Sequence, residues 1–244
     1  MAVYVATNVK TWMDGYDVSG DLNKLGLTYA ADMKEATVYG NDTHVQVAGL
    51  KDVKAELEGF WQGGADEIDD VLFNRIAVSD TVFSCSPDGG DEGEIGFSFK
   101  TLLGEYNPGA SIGELLAFKC TAGARGSPGL IRGTVMHNAT RTTDSSGTAR
   151  QLGAVSATQY LYASLHVLAV SGTATPTLTV KVQSDNAEGF GSAADKITFT
   201  GATAIGAQFA APVAGAITDD WWRINWAMTG TNPSFTFVVL VGIQ

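Results

Sequence analysis

Cationic side chains are scarce in this sequence. Its 244 residues include 15 Lys and Arg against 26 Asp and Glu, which gives a formal net charge of −11. Charged residues of both signs make up only 17% of the chain, well below the roughly 25% usual in soluble domains. Proteins that grip nucleic acids through phosphates, or that bind anionic membrane surfaces, need clustered Lys and Arg. The composition therefore argues against both classes.

Cysteine and histidine are also rare. The two cysteines, Cys85 and Cys120, lie in apolar, strand-like runs and are too few for a disulfide scaffold. We interpret them as small buried hydrophobic residues. The three histidines, His44, His137 and His166, are far apart, and none stands at metal-ligand spacing from a cysteine. We expect no metal site, and we interpret His166, inside a strand-like run, as a satisfied core or edge histidine.

Long apolar runs and catalytic motifs are missing as well. The longest apolar run, residues 237–243, is far too short to cross a bilayer, and the first residues predict neither a signal peptide nor a membrane anchor. We find no nucleophile–base set, phosphate loop or dinucleotide fingerprint. We expect no catalytic residue, no metal and no cofactor. A hydrolase built on two carboxylates stays open as an alternative, since sequence does not give the distance between acids.

A period-two pattern over residues 44–61 is the clearest structural signal in the sequence. Its apolar members are Val45, Val47, Leu50, Val53, Ala55 and Leu57, and its charged members are Asp52, Lys54, Glu56 and Glu58. Such alternation predicts an antiparallel strand with one face in solvent. Residues 66–76 begin with acids and carry Arg75 near their end, which predicts one helix. Ile68, Leu72 and Ile76 would pack it on a sheet.

The remaining patterns predict a mainly β protein of two domains. We expect an N-terminal arm over residues 1–18, a β-sandwich or barrel domain with one flanking helix over 19–138, a polar linker over 139–150, and a β-sandwich or jelly roll over 151–244. The predicted strands are 81–85, 94–103, 115–122 and 129–137, then 159–170, 177–183, 196–200, 221–228 and 235–243. Residues 86–93 and 104–114 are predicted loops of a length typical of contact elements. The acidity is uneven, with 10 Lys and Arg against 20 Asp and Glu in residues 1–140, and 5 against 6 thereafter.

Three tryptophans stand close together in residues 221–226. Period two places Trp222 and Trp226 on one strand face and Trp221 on the other. The set is more typical of a sandwich core strand, while a stacking platform for sugar rings is the alternative.

Several short patterns resemble the tail-tube, or major tail, proteins of long flexible-tailed bacteriophages. They are Ala36-Thr37-Val38-Tyr39-Gly40, His44-Val45-Gln46-Val47-Ala48-Gly49-Leu50-Lys51-Asp52-Val53, Glu56-Leu57-Glu58-Gly59-Phe60-Trp61 and Gly129-Leu130-Ile131-Arg132-Gly133-Thr134-Val135. The resemblance covers roughly residues 18–138. Residues 151–244 resemble the β-rich C-terminal extensions of some tail proteins.

The resemblance implies an assembly protein of the virion tail, made in the cytoplasm of a bacterial host. Its subunits would form six-fold rings that stack into a tube conducting DNA without specific binding. Implied partners are other copies of the chain and the tape-measure, tail-terminator and tail-tip proteins. A glycan on the C-terminal domain is a further candidate partner, which the tryptophan strand suggests. An acidic lumen suits this task, because it repels DNA over a Debye length of about 8–10 Å.

On this resemblance we expect three sets of functional residues. Candidate lumen residues are Asp52, Lys54, Glu56, Glu58 and Glu94. Candidate inter-subunit or ring-stacking residues are Asp88, Asp91, Glu92, Glu105, Tyr106 and Asn107, together with the arm 1–18. Candidate outer adhesion or packing residues are Trp221, Trp222 and Trp226. The alternatives are another tail-tip or completion protein, a capsid-decoration protein, or a carbohydrate-binding β module.

Overall fold

The computed structural model describes residues 5–244, which are mainly β structure with one short α-helix. The elements, in chain order, are β1 (Lys10–Met13), β2 (Tyr16–Asp17), a 3₁₀ turn (Ser19–Asp21), β3 (Leu22–Glu35), β4 (Gln46–Phe60), α1 (Ile68–Phe73), β5 (Thr81–Ser86), β6 (Ile95–Gly109), β7 (Ala117–Ala124), β8 (Ile131–Arg141), β9 (Ser145–Ser146), β10 (Arg150–Gln151), β11 (Tyr160–Asp185), β12 (Ala194–Thr198), β13 (Gly206–Phe209), β14 (Val213–Ala214) and β15 (Trp221–Ile243). This confirms the predicted mainly β class. Within the described residues, no helix is long and apolar enough to span a membrane.

The chain folds into two compact units that interleave along the sequence. Within the described residues, unit 1 comprises residues 5–20, 81–99 and 131–244, and unit 2 comprises residues 21–80 and 100–130. The chain thus leaves unit 1 twice and returns to it twice. The predicted first domain, 19–138, contributes to both units.

A long antiparallel ribbon of β11 and β15 forms the centre of unit 1. The two strands pair from Leu161 opposite Ile243 to Asp185 opposite Trp221, and their register shifts between Ser171 and Thr177. Both parts of the ribbon, on either side of this shift, supply side chains to one hydrophobic core. The strands predicted separately at 159–170 and 177–183, and at 221–228 and 235–243, are thus parts of two long strands that share one core.

The tryptophan strand lies in this core. Trp222 and Trp226 are buried, whereas Trp221 is half-buried. The indole N–H of Trp222 donates to the carbonyl of Gly153 at 2.8 Å, and that of Trp226 donates to the carbonyl of Thr143 at 2.9 Å. Two of the three candidate adhesion or packing residues are thus buried in the core of unit 1.

Residues 139–150, with the composition of a linker, carry sheet structure instead. They include the end of β8 together with β9 and the first residue of β10, and both short strands pair with β15. The carboxylate of Asp144 also accepts the backbone N–H of Met228 at 2.7 Å. Hydrogen bonds to a long strand fix this polar segment, and composition does not reveal them.

Residues 10–18 of the predicted N-terminal arm contribute strands and buried side chains to unit 1. Residues 1–4 lie outside the described part of the chain, but β1 pairs along β5. Thr11, Trp12 and Met13 are buried. The arm prediction is wrong for residues 10–18, because apolar side chains at these positions fill the interior.

Unit 2 is a four-stranded antiparallel sheet in the order β3-β4-β7-β6, where the last strand contributes residues 101–109. Helix α1 buries Ile68, Val71 and Leu72, in agreement with the predicted flanking helix, although it is shorter than residues 66–76. The carboxylate of Asp69 accepts hydrogen bonds from the indole of Trp61 at 2.8 Å and the hydroxyl of Tyr106 at 2.7 Å. These bonds hold α1 on the apolar face of the sheet.

Candidate assembly surfaces

One face of the unit 2 sheet carries charged side chains. On β4, Val53, Ala55 and Leu57 are buried, and the intervening Lys54 and Glu56 are partly exposed, as the alternation predicts. The strand register places residues from the neighbouring strands on the same face, because directly opposed residues share a face in an antiparallel sheet. We name as the charged face the part formed by residues 52–58 of β4 and the positions opposed to them across the sheet; its charged members are Lys24, Asp52, Lys54, Glu56, Glu58, Glu105 and Lys119.

The lysines of the charged face are all paired with glutamates of β4. Glu58 lies between two of them, with its Oε1 at 2.8 Å from Lys24 Nζ and 3.5 Å from Lys119 Nζ. Lys54 Nζ lies 2.6 Å from Glu56 Oε1. These pairs hold the pKa of both glutamates below the usual range, chiefly through the lysine hydrogen bonds. The same bonds raise the pKa of Lys24 and Lys54.

The charged face is close to neutral within one subunit. It holds four acids against three lysines, since β3 and β7 add Lys24 and Lys119 opposite Glu58. The sequence alone shows only the charges of β4, where three acids stand beside the single Lys54 and indicate an acidic face. Cross-strand neighbours, which depend on register, are invisible in a single strand.

Glu94, the fifth candidate lumen residue, belongs to unit 1. It ends the loop between β5 and β6, and its carboxylate accepts the backbone N–H of Asp91 at 3.0 Å. It is not on the sheet that carries Asp52, Lys54, Glu56 and Glu58.

The loop between β5 and β6 is fixed to β8 and β10. His137 Nδ1 lies 2.8 Å from Glu92 Oε1, and the guanidinium of Arg150 donates to the Glu92 carbonyl at 2.6 Å. The contact with the buried His137 lowers the pKa of Glu92. Asp88 and Asp91, the other acidic loop candidates, are exposed. Of these three acidic loop residues, Glu92 is the one whose carboxylate contacts a side chain of its own subunit, that of His137.

Glu105, Tyr106 and Asn107 lie on a strand and not in the predicted loop. Strand β6 continues to Gly109, and its later residues pair only with β7 within the described chain. Glu105 and Asn107 are exposed, whereas the hydroxyl of Tyr106 donates to Asp69. Burial, with this bond to the carboxylate, raises the pKa of Tyr106.

A two-stranded extension of β3 and β4 carries many exposed apolar side chains. We name residues 28–52, the outer parts of both strands with their connection, the hairpin arm. Within the described chain β3 pairs only with β4, and β7 reaches only residues 54–60 of β4. Of the nineteen large, exposed hydrophobic side chains among residues 5–244, fifteen belong to unit 2, and seven of those lie in the arm. These seven are Tyr29, Met33, Val38, Tyr39, Val45, Val47 and Leu50.

The hairpin arm exposes apolar side chains on both of its faces. Met33 follows Tyr29 on the side that continues the buried face of the sheet, while Val47 opposes Lys34 on the other side. Their exposed fractions are 56% for Met33 and 54% for Val47, and Leu50 reaches 86%. The sequence pattern assigns Val45, Val47 and Leu50 to the apolar set of residues 44–61. It identifies the apolar residues of the arm, but it does not predict that they are exposed.

His166 and the two cysteines lie in the interior of the described chain. The imidazole of His166 is buried, accepts the N–H of Gly15 at 3.3 Å, and contacts the Ser84 hydroxyl at 2.9 Å. Burial lowers the pKa of His166 to about 3, so this is the satisfied core histidine that was expected. Cys85 and Cys120 are buried free thiols. Among residues 5–244, no group of three or more His, Cys, Asp or Glu is arranged to hold a metal ion.

The chain matches no protein-family model and no curated protein. Solved structures similar to it include a chain of the virion of a native gene transfer agent particle, with 10% identity and a TM-score of 0.42 over 52% of this chain and 98% of that one. A second is the SPP1 Dit protein, described as a paradigm of the hub adsorption apparatus in phages infecting Gram-positive hosts, with 11% identity and a TM-score of 0.38 over 97% and 99%. A third is a sheath/tube terminator of an extracellular contractile injection system, with 14% identity and a TM-score of 0.43 over 54% and 97%. At these scores and identities, the similarities do not by themselves assign a function to this chain.

Proposed function

We propose that the chain is a structural subunit of a phage tail, and that its copies join through the hairpin arm into stacked rings. The observation that carries this proposal is the arm itself, a two-stranded ribbon that exposes apolar side chains on both faces. The sequence patterns of residues 36–61, which resemble tail-tube proteins, lie within and directly after this arm. The proposal thus gives the exposed arm a partner, a second copy of the chain.

An isolated two-stranded ribbon is marginally stable in water, and exposed apolar clusters of this kind mark protein interfaces. Burying a Val, Leu or Met side chain fully stabilises an assembly by about 1.5–3 kcal/mol. Several such residues in each arm can offset the cost of association, roughly 4–15 kcal/mol. The unpaired edge of β3 offers backbone groups to a neighbour and would be protected by it.

In the proposed ring the charged face lines the lumen. Asp52, Lys54, Glu56 and Glu58 are then lumen residues, and a slightly negative, ion-paired surface lets duplex DNA pass without a strong hold. Exposed Asp88 and Asp91 serve as ring-stacking contacts. The near-neutral segment 151–244 faces outward, and six subunits in each ring are expected.

The arm can be tested by electron microscopy and light scattering on the purified chain, alone and with other tail proteins. We expect rings or tubes for the wild type and monomers for Met33→Lys, because the variant places a charge on the apolar face of the arm. Ala30→Lys is the matched control. It adds the same charge to the other face of β3, opposite Asp52, and should still assemble.

The results also separate tube from hub proteins. Stacked rings support the tube, and single rings that never stack indicate a hub or completion component of the tail. Monomers at high concentration, also beside other virion proteins, would refute ring assembly. A Met33→Lys variant that assembles like the wild type would exclude the arm as the contact.

A further inference from the structure

We propose that Glu56 and Glu58 mask the lysines of the charged face from phosphate, so that this face lets a polyanion pass without retaining it. The inference rests on the proposed function only in naming duplex DNA as the polyanion. It differs from simple repulsion by an acidic lumen, because the charged face holds four acids against three lysines. What prevents retention is then the pairing of each cation, and not a large excess of negative charge.

The lysines have a structural reason to be present. Glu56 and Glu58 lie on one face of β4, with Glu105 two strands away through Thr121. Like charges side by side on a sheet destabilise it, whereas opposite charges across strands stabilise it. Lys24 and Lys119 stand directly opposite Glu58 on the two neighbouring strands, where they relieve this repulsion.

The same lysines would attract DNA if their charge were free. An unpaired ammonium on a solvent-facing sheet can replace a condensed counterion on a phosphate, which is the main source of nonspecific DNA affinity. A carboxylate oxygen 2.6–3.5 Å from each ammonium already occupies that position. Glu58 neutralises the surroundings of two lysines and Glu56 those of one, so the two glutamates should differ in effect.

Asp52 provides a matched comparison on the same strand and face. It has no ion pair within 4.0 Å in the described residues, and its effect on Lys54 is weaker than that of Glu56. Asp52→Asn and Glu56→Gln therefore remove the same charge four residues apart, but only the second frees a lysine. Comparing the DNA affinity of these two variants therefore distinguishes an effect of masking from an effect of net charge.

The test measures fluorescence anisotropy of a labelled DNA duplex with the purified full-length chain, at about 50 mM and about 200 mM salt. We expect DNA affinity to rise in the order wild type, Glu56→Gln, Glu58→Gln, with Asp52→Asn equal to the wild type. Two freed lysines per contacting subunit predict that the affinity of Glu58→Gln falls about tenfold between these salt concentrations. Adding Lys54→Gln to Glu56→Gln should abolish its gain.

Two results would overturn masking. One is equal DNA affinity for Asp52→Asn and Glu56→Gln, which would show that net charge alone matters. The other is a Glu58→Gln variant, folded by circular dichroism, that binds DNA no better than the wild type. Microscopy of the same samples keeps the two proposals apart, since rings without a gain in DNA binding would leave the assembly proposal standing and reject masking alone.

Discussion

Substitution of Trp226 tests the register of the strand that carries three tryptophans. A slip of one residue would exchange the two faces of a strand, so Trp221 would become buried and Trp226 exposed. In the structure Trp226 is 2% exposed, and its ring packs against Phe237 and His137, with centroid distances of 5.7 Å and 4.7 Å. Its stability contribution should therefore greatly exceed that of Trp221.

The expected magnitudes follow from these contacts. Trp226→Ala should lower the free energy of unfolding by about 3–5 kcal/mol, the usual cost of truncating a buried aromatic residue. Trp226→Phe keeps a ring but removes the donor to the Thr143 carbonyl, and an orphaned buried acceptor costs about 1–3 kcal/mol. Trp221→Ala, at a half-buried position, should cost at most about 1 kcal/mol.

The assay is urea unfolding followed by far-ultraviolet circular dichroism, at one protein concentration so that assembly does not differ between samples. With a slope of about 1–3 kcal/mol per molar urea, Trp226→Ala should move the midpoint by about 1 M or more. A larger loss for Trp221→Ala than for Trp226→Ala would refute the assigned register. Equal losses for both would refute the division into a core face and an outer face.

Three further substitutions test other parts of the fold. Gly59→Ala should destabilise unit 2 strongly in the same urea assay, because a Cβ at this position would overlap the backbone carbonyl of Asp21; an unchanged midpoint would contradict that close approach. Asp69→Asn weakens the acceptor shared by the Trp61 indole and the Tyr106 hydroxyl, which should lower the free energy of unfolding by about 1–3 kcal/mol. It should also lower the pKa of Tyr106 measured by ultraviolet titration, and an unchanged Tyr106 titration would argue against the bond. Finally, burial lowers the pKa of His166 from its ordinary value of 6.5 to about 3 and so keeps it neutral in the folded state. Unfolding therefore binds a proton between these pH values, and stability should fall by up to about 1.4 kcal/mol per pH unit as pH decreases. A His166→Gln variant should lose this part of the pH dependence, and a variant that retains it would exclude His166 as its source.

Local patterns in the sequence identify faces and elements well. The period-two alternation of β4 assigns Val53 and Leu57 to the buried face and Lys54 to the other. The acidic start of residues 66–76 marks the position of α1. These features depend on neighbours in sequence, which a single chain displays directly.

Pairing between distant strands is the part that the sequence does not display. Gly104, Pro108 and Gly109 read as a loop, yet they continue β6. Proline is tolerated there because this part of β6 is an edge strand in the described structure, where a missing N–H disrupts no second ladder. The polar residues 143–150 are ordered by a strand that lies far away in sequence. In each case long-range backbone hydrogen bonds override local composition.

The hairpin arm shows the difference between what local alternation predicts and what tertiary or quaternary packing determines. Alternation tells which side chains of a strand are apolar, but it does not tell whether the same chain covers them. On β4 the register shift between Ala48 and Lys51 interrupts the alternation and places Val47 on the face opposite Leu57. Leu57 is covered by its own subunit, whereas Val47 remains 54% exposed. If a second copy covers the arm, as we propose, the exposed apolar residues on both of its faces become buried in the assembled sheet. Protection of the arm's backbone amides from hydrogen exchange should then appear only on assembly, and protection in the Met33→Lys monomer equal to that in the assembled wild type would show that the arm needs no partner.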